Sequence, residues 1–205
     1  YETNTYVISE AFSNLSVDTD TADIFFALSD NGKCWVECFE QIKAKHSVAV
    51  QEDTLVIGSV NEKAWYDYIG IHFRTPKVTV YLPQGEYEAL FIKESTGDIT
   101  IPKDFQFALV DISLSTGDVQ CGASATGEVK IQTSTGEIWV EDASAGALKL
   151  SASTGGITVR NVTCQGDVEL RVSTGKTKLE NLMCQNLAAT ADTGDISLNR
   201  VVAEG

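Results

Sequence analysis

Four acidic residues, Asp98, Asp118, Glu137 and Asp195, each follow a glycine at nearly constant spacing, so stacking the repeats would align the first three as a carboxylate edge. Such an edge invites calcium, which takes six to eight oxygen ligands, but repeat proteins that bind calcium in their turns carry denser Gly-Asp patterns. Gly156 and Lys176 also interrupt the column, which is therefore expected to solvate turns. The same glycines are preceded by the pairs Ser95-Thr96, Ser115-Thr116, Ser134-Thr135, Ser153-Thr154 and Ser173-Thr174. Regular threonine ladders can match ice or polysaccharide surfaces. Beside a turn glycine, however, hydroxyls commonly bond the local backbone, and that is the role expected here.

The five cysteines, Cys34, Cys38, Cys121, Cys164 and Cys184, form no CxxC and have few histidines near them, which argues against a zinc site. In "CWVECFE", read as a strand, Cys34 and Cys38 would stand roughly 13 Å apart, too far for a disulfide. All five are expected to be buried small hydrophobes. His46 and His72 are the only histidines, so there is little imidazole for acid–base work, and both are read as ordinary strand residues. No GxSxG, P-loop, HExxH or dinucleotide fingerprint occurs. Carboxylate pairs suited to glycoside hydrolysis cannot be told from chance among 29 acidic residues. No catalytic residue, cofactor or metal ligand is assigned.

Aromatic residues are the remaining candidates. Thirteen of the 17 lie in the first 90 positions, with a concentration in "AWYDYIGIHF". Such clusters stack on sugars, anchor partners or pack a small β core. Trp65, Tyr66 and Tyr68, together with Trp139 in the second half, form the candidate interaction surface.

The elements that would hold these residues follow from the repeat. Gly97, Gly117, Gly136, Gly155, Gly175 and Gly194 are spaced by 20, 19, 19, 20 and 19 residues. Midway lie Gly127, Gly146, Gly166 and then Asn186, the non-glycine residue that best tolerates positive φ, so each period carries two turn signals. Between turns the apolar residues alternate, as in strands. Two places after the main glycine stand Ile99, Val119, Ile138, Ile157, Thr177 and Ile196; five before it stand Ile92, Ile112, Ile131, Leu150, Leu170 and Ala189. A repeat this short cannot bury its own apolar face, so its copies must stack with like residues in ladders. The expected fold is all-β: a single-stranded β-solenoid of 19–20 residues per coil and about six coils, forming a rod about 25 Å long.

Residues 12–26, "FSNLSVDTDTADIFF", parallel residues 184–198, so the solenoid is expected to begin near residue 12 with Ala22 in the glycine position. Residues 30–84 interrupt it with alternating runs joined by "DNGK", "QEDT" and "TPK". These are expected to form two or three antiparallel β-hairpins that elaborate or cap the first coils, since an open solenoid end is an unpaired edge. Residues 1–90 are thus read as a first coil plus cap, and 91–205 as regular coils of one continuous domain.

Composition narrows the partners. A formal net charge of -14, from 15 basic and 29 acidic residues, repels nucleic acid and anionic lipid surfaces. Apolar runs such as "TLVIGSV" are far shorter than the roughly 20 residues of a spanning helix, so this segment is not expected to insert into a membrane. The chain starts at Tyr1 rather than Met, which raises the expectation of an upstream signal or anchor outside this sequence.

The early "LSVDTDTADI", the stretch "KVTVYLPQGEYEALFIKESTGDITI" and the strings "STGDV", "STGEI", "STGGI" and "DTGDI" resemble the bacterial putative-adhesin family of unknown function, across nearly the whole chain. The resemblance implies a β-solenoid associated with the cell envelope, in many members anchored or surface-exposed and in some linked to envelope stress, with no shared active site. The expected function is a non-enzymatic envelope scaffold or interaction module binding a protein or glycan. The alternatives are an extracytoplasmic sensor of an envelope stressor such as a cationic peptide, and a polysaccharide-active β-helix enzyme.

Overall fold

A computed structural model describes residues 1–62 and 74–205. Because alternate residues of an extended chain point to opposite sides, each apolar alternation noted above becomes a strand with one buried face. Among the described residues these are β1 (Glu2–Ile8), β2 (Asn14–Thr21), β3 (Asp23–Leu28), β4 (Cys34–Glu40), β5 (Ala44–Gln51), β6 (Thr54–Asn61), β7 (Lys77–Leu82), β8 (Glu86–Thr96), β9 (Ile99–Ile101) and β10 (Gln106–Thr116). They continue as β11 (Val119–Cys121), β12 (Ser124–Ala125), β13 (Glu128–Thr135), β14 (Ile138–Ala145), β15 (Ala147–Thr154), β16 (Ile157–Cys164), β17 (Val168–Thr174), β18 (Thr177–Cys184), β19 (Leu187–Thr193) and β20 (Ile196–Ala203). None of the described residues forms a helix long and apolar enough to cross a membrane.

The strands form two facing sheets. Sheet A has the order β1-β4-β7-β3-β9-β11-β14-β16-β18-β20, and sheet B β19-β17-β15-β13-β10-β8-β2-β6-β5, with β12 beside β10. From β8 onward each coil lays one strand in each sheet, parallel to the previous coil, giving the six coils of a two-sided solenoid. The ladders read from the sequence are the ladders of the core: Val119, Ile138, Ile157, Thr177 and Ile196 are in register in sheet A. Ile92, Ile112, Ile131, Leu150, Leu170 and Ala189 are in register in sheet B. Each fully buried Ile, Val or Leu contributes about 1.5–3 kcal/mol. One continuous apolar cluster runs from Leu15 to Cys184.

The main glycines make the corners between sheets. Gly136 has φ 142°, and a Cβ on it would collide with the carbonyl oxygen of Gly117. Its N–H donates to the Thr154 carbonyl of the next coil at 2.9 Å, a bond repeated by Gly117 to Thr135 and Gly155 to Thr174. The second turn works differently from expectation. Gly127, Gly146 and Gly166 are not in the positive-φ region, and neither is Asn186. Glycine is needed there for close approach alone, since a Cβ on Gly166 would meet the Gly146 carbonyl oxygen at 2.5 Å.

The sheet A strands also carry a bend that alternation hides. Asp142, Asn161, Asn181 and Arg200 have φ of 52–54°, one in each of the last four coils. A left-handed residue in mid-strand shifts the inward phase, so that β16 buries Ile157 and Val159 before the bend and Val162 and Cys164 after it. Asn161 Nδ2 donates to Asp142 Oδ1 at 3.0 Å, and Asn181 Nδ2 to Asn161 Oδ1 at 2.9 Å, tying successive bends together.

The first half departs from the expected set of hairpins. β5 and β6 do form an antiparallel hairpin, closed by Glu52 and Asp53 at φ 46° and 66°, the signature of a tight two-residue turn. β4 lies antiparallel between β1 and β7. But β6 and β7 run parallel to β2 and β3, as another coil of the solenoid. The β2–β3 coil is therefore sandwiched between β6–β7 on one side and β8–β9 on the other, so that Ile57, Val17 and Ile92 are neighbours in one ladder. Alternation is the same in parallel and antiparallel strands, so the pattern alone could not separate the two.

Candidate binding face

The outer face of sheet A collects the polar and aromatic residues that alternate with the core. In one row across the strands stand Glu37, Thr79, Phe25, Thr100, Gln120 and Trp139. At its N-terminal end the aromatics pair with one another: Trp35 stacks on Tyr81 at 4.4 Å and Tyr1 on Phe39 at 5.1 Å, while Lys77 Nζ sits 4.0 Å from the Phe25 ring centre. Trp139 stands apart. The adjoining β11 and, beyond it, β9 are only three residues long because Pro102 and Gly122 take the chain out of sheet A, whereas β14 continues to Ala145. The step leaves a cleft of about 360 Å³ lined by Thr100, Pro102, Lys103, Gln120, Trp139, Glu141 and Asp142, with the buried strand ends Ile101 and Cys121 and Gly122 at its base.

The charges around Trp139 are held in place. Arg160 donates to Glu141 Oε2 at 2.8 Å, and Asp142 accepts from Asn161. A half-buried indole beside an amide, an ammonium and two fixed carboxylates offers an apolar platform with polar groups at its rim, the usual make-up of a small-ligand site. The other three candidates, Trp65, Tyr66 and Tyr68, lie outside the described residues, as does His72.

The carboxylate column has a structural task. Asp23 Oδ1 accepts the backbone N–H of Asp98, Asp98 Oδ1 that of Asp118, and Asp118 Oδ1 that of Glu137, at 2.8–3.0 Å. Each acid thus satisfies an N–H that the corner would otherwise leave unpaired. The hydroxyl expectation does not hold: among the described residues, no hydroxyl of the Ser-Thr pairs bonds the backbone. The Thr carbonyls of the next coil take the glycine N–H and the acid column takes the N–H after it, so the corner does not call on the hydroxyls, which face outward. Thr21, Thr96, Thr116, Thr135, Thr154, Thr174 and Thr193 form an exposed ladder in register.

All five cysteines are buried and unpaired, as expected. Burial raises the thiols of Cys34 and Cys121 to about 11, and burial with the nearby Glu40 carboxylate raises Cys38 to about 12. His46 is not the ordinary strand residue expected. Its Nδ1 lies 2.8 Å from Glu40 Oε2, with both side chains buried in the N-terminal cap. Glu94 was also missed. It occupies an inward column otherwise filled by residues such as Leu114 and Ala152, where Thr19 Oγ1 and the N–H groups of Ala22 and Thr96 donate to it. Burial pushes its carboxyl up to about 7 against those hydrogen bonds.

Corners, ladders and cap together define a parallel two-sheet β-solenoid. The chain belongs to the Toastrack DUF4097 family, whose model matches residues 12–204, in keeping with the resemblance carried by the STGD-type strings. No curated protein matches the chain. Among solved structures it is similar to a putative adhesin from Bacteroides fragilis at 16% identity, covering 96% of this chain and 97% of that one with a TM-score of 0.46. It is also similar to a putative cell adhesion protein from Clostridium sporogenes (10% identity, 96% and 98% covered, TM-score 0.44) and a putative adhesin from Parabacteroides merdae (14%, 98% and 95%, TM-score 0.41).

Proposed function

We propose that this protein is a non-enzymatic interaction module of the cell envelope, outside the cytoplasm, that binds a glycan on the outer face of sheet A. The observation that supports this reading is the cleft at Trp139. An indole face there is bordered by Lys103, Gln120 and Glu141 in a space of about 360 Å³, room for a sugar ring or two. The charge of -14 selects against anionic polymers, so the ligand is neutral or cationic. Calorimetric titration of a panel of neutral and amino-sugar oligosaccharides tests the reading. Trp139→Ala is expected to weaken binding at least tenfold with unchanged melting, since one stacked ring is worth about 1–3 kcal/mol at comparable sites. Binding that survives Trp139→Ala, or no binding across the panel, overturns it.

The same charge favours a second reading, capture of a cationic peptide as a sensor domain. Peptide binding that falls steeply with salt and ignores Trp139→Ala would select it.

A further inference from the structure

The capped end of the core holds a cluster unlike the aliphatic ladders it terminates. Cys38 is the last apolar rung of its sheet A ladder, followed only by Asn4 on the edge strand β1, and is in register with Val78 and, through it, with Ile24 and Ile99. Two residues on along β4 the inward position is taken by Glu40, and His46 on β5 reaches it from sheet B. Cys38 Sγ, a Glu40 carboxylate oxygen and a His46 ring nitrogen all lie within 4.8 Å of one another, and all three residues are buried.

A second set of contacts fixes the donors. Asn4 Nδ2 donates to Glu40 Oε1 at 2.6 Å, the His46 backbone N–H donates to Glu40 Oε2 at 2.6 Å, and Tyr6 Oη donates to the His46 carbonyl at 3.2 Å. Metal ligands are characteristically oriented in this way by outer partners. A carboxylate–imidazole pair alone is a poor reason for the arrangement. Burying both groups costs about as much as their attraction returns, and well-packed aliphatic residues would serve at least as well. A thiol as third neighbour adds nothing to a carboxylate–imidazole contact, but thiolate, imidazole and carboxylate together are the donor set of zinc.

We propose that Cys38, Glu40 and His46 form a three-donor zinc site that ties β4 of sheet A to β5 of sheet B at the N-terminal end of the rod. Binding exchanges the thiol proton of Cys38 for the metal and releases it to solvent; the three protein donors leave one tetrahedral position for a further oxygen. Sequence spacing conceals the site because its ligands meet only through the cross-over from one sheet to the other.

The test is refolding of the wild-type chain from chelator-containing denaturant, with and without zinc, followed by metal analysis after dialysis. One zinc per chain is expected, with a melting temperature about 5–10 °C above the chelated protein. Refolding with cobalt should give a thiolate-to-cobalt charge-transfer band. Cys38→Ser and His46→Gln should abolish metal and band, Cys121→Ser should keep both, and Asn4→Ala should weaken binding about 10–100-fold. Background zinc and no cobalt band in the refolded wild-type chain overturn the proposal, whatever the variants do. So does a band that persists in Cys38→Ser.

Discussion

The C-terminal coils and the N-terminal cap bury the same kind of side chain by opposite means. From β8 to β20 the chain repeats one solution, in which a glycine of positive φ turns each coil from sheet B to sheet A, most ladders hold like residues and stacking order equals chain order. Before β8, β4 and β5 run antiparallel to their partners, the β6–β7 coil lies outside the β2–β3 coil that precedes it in sequence, and the core encloses a carboxylate beside an imidazole, Glu40 and His46. The difference teaches where specificity resides. A ladder of identical rungs is stable but does not say where to start, whereas a cap with unlike partners defines an end.

The largest effect that sharpens this contrast is expected at Ile138, fully buried in the regular half. Ile138→Asp places an unpaired carboxylate between Val119 and Ile157 and should cost more than about 4 kcal/mol, melting the rod as one unit by circular dichroism. A variant with wild-type melting would break the register described above.

Glycine corners come next. Gly155→Ala sets a Cβ against the Gly136 carbonyl at φ 138° and should cost about 3 kcal/mol or more, because a backbone must move. In the cap, Gly32 also has positive φ, 70°, but open space around it, so Gly32→Ala should cost only about 1 kcal/mol. Equal costs in urea denaturation would mean that stacking, not torsion, has been overvalued.

Glu94 lies between the two regions, facing Thr19 of the first coil. Its folded pKa, about 7, is above the ordinary 4.5, so between those values the folded chain binds the extra proton. Its contribution is therefore complete below about pH 4.5 and lost as pH rises through 7, a decline of about 3 kcal/mol. Wild type minus Glu94→Gln, compared by denaturant titration from pH 4.5 to 7.5, should show that slope. A flat difference refutes it.

The smallest effect is a gain. Thr177 replaces the aliphatic residue of its ladder, and its hydroxyl is buried with no hydrogen-bond partner among the described residues. Thr177→Val keeps the shape and removes the orphan, and should stabilise by roughly 1–2 kcal/mol, raising the midpoint of thermal unfolding.

Period, strand faces, glycine corners and core ladders could all be read from residue order, because each coil meets its neighbour one repeat away and like residues coincide. Cys121 was legible as buried core for the same reason, and Cys34 from the alternation of its own strand. The order of the first three coils was not, since alternation is common to parallel and antiparallel strands. The bend at Asn161 escaped because the phase shift it causes looks like a lapse in alternation, though the Asp142-Asn161-Asn181 column was a usable signal. The Trp139 cleft depends on where β9 and β11 stop, and Cys38, Glu40 and His46 meet only when two sheets close on each other. Local periodicity determines how a rung is built; which rungs touch, and which polar groups are enclosed with them, is decided by how the strands are assigned to the two sheets and closed on each other, where side chains from different strands share one desolvated space.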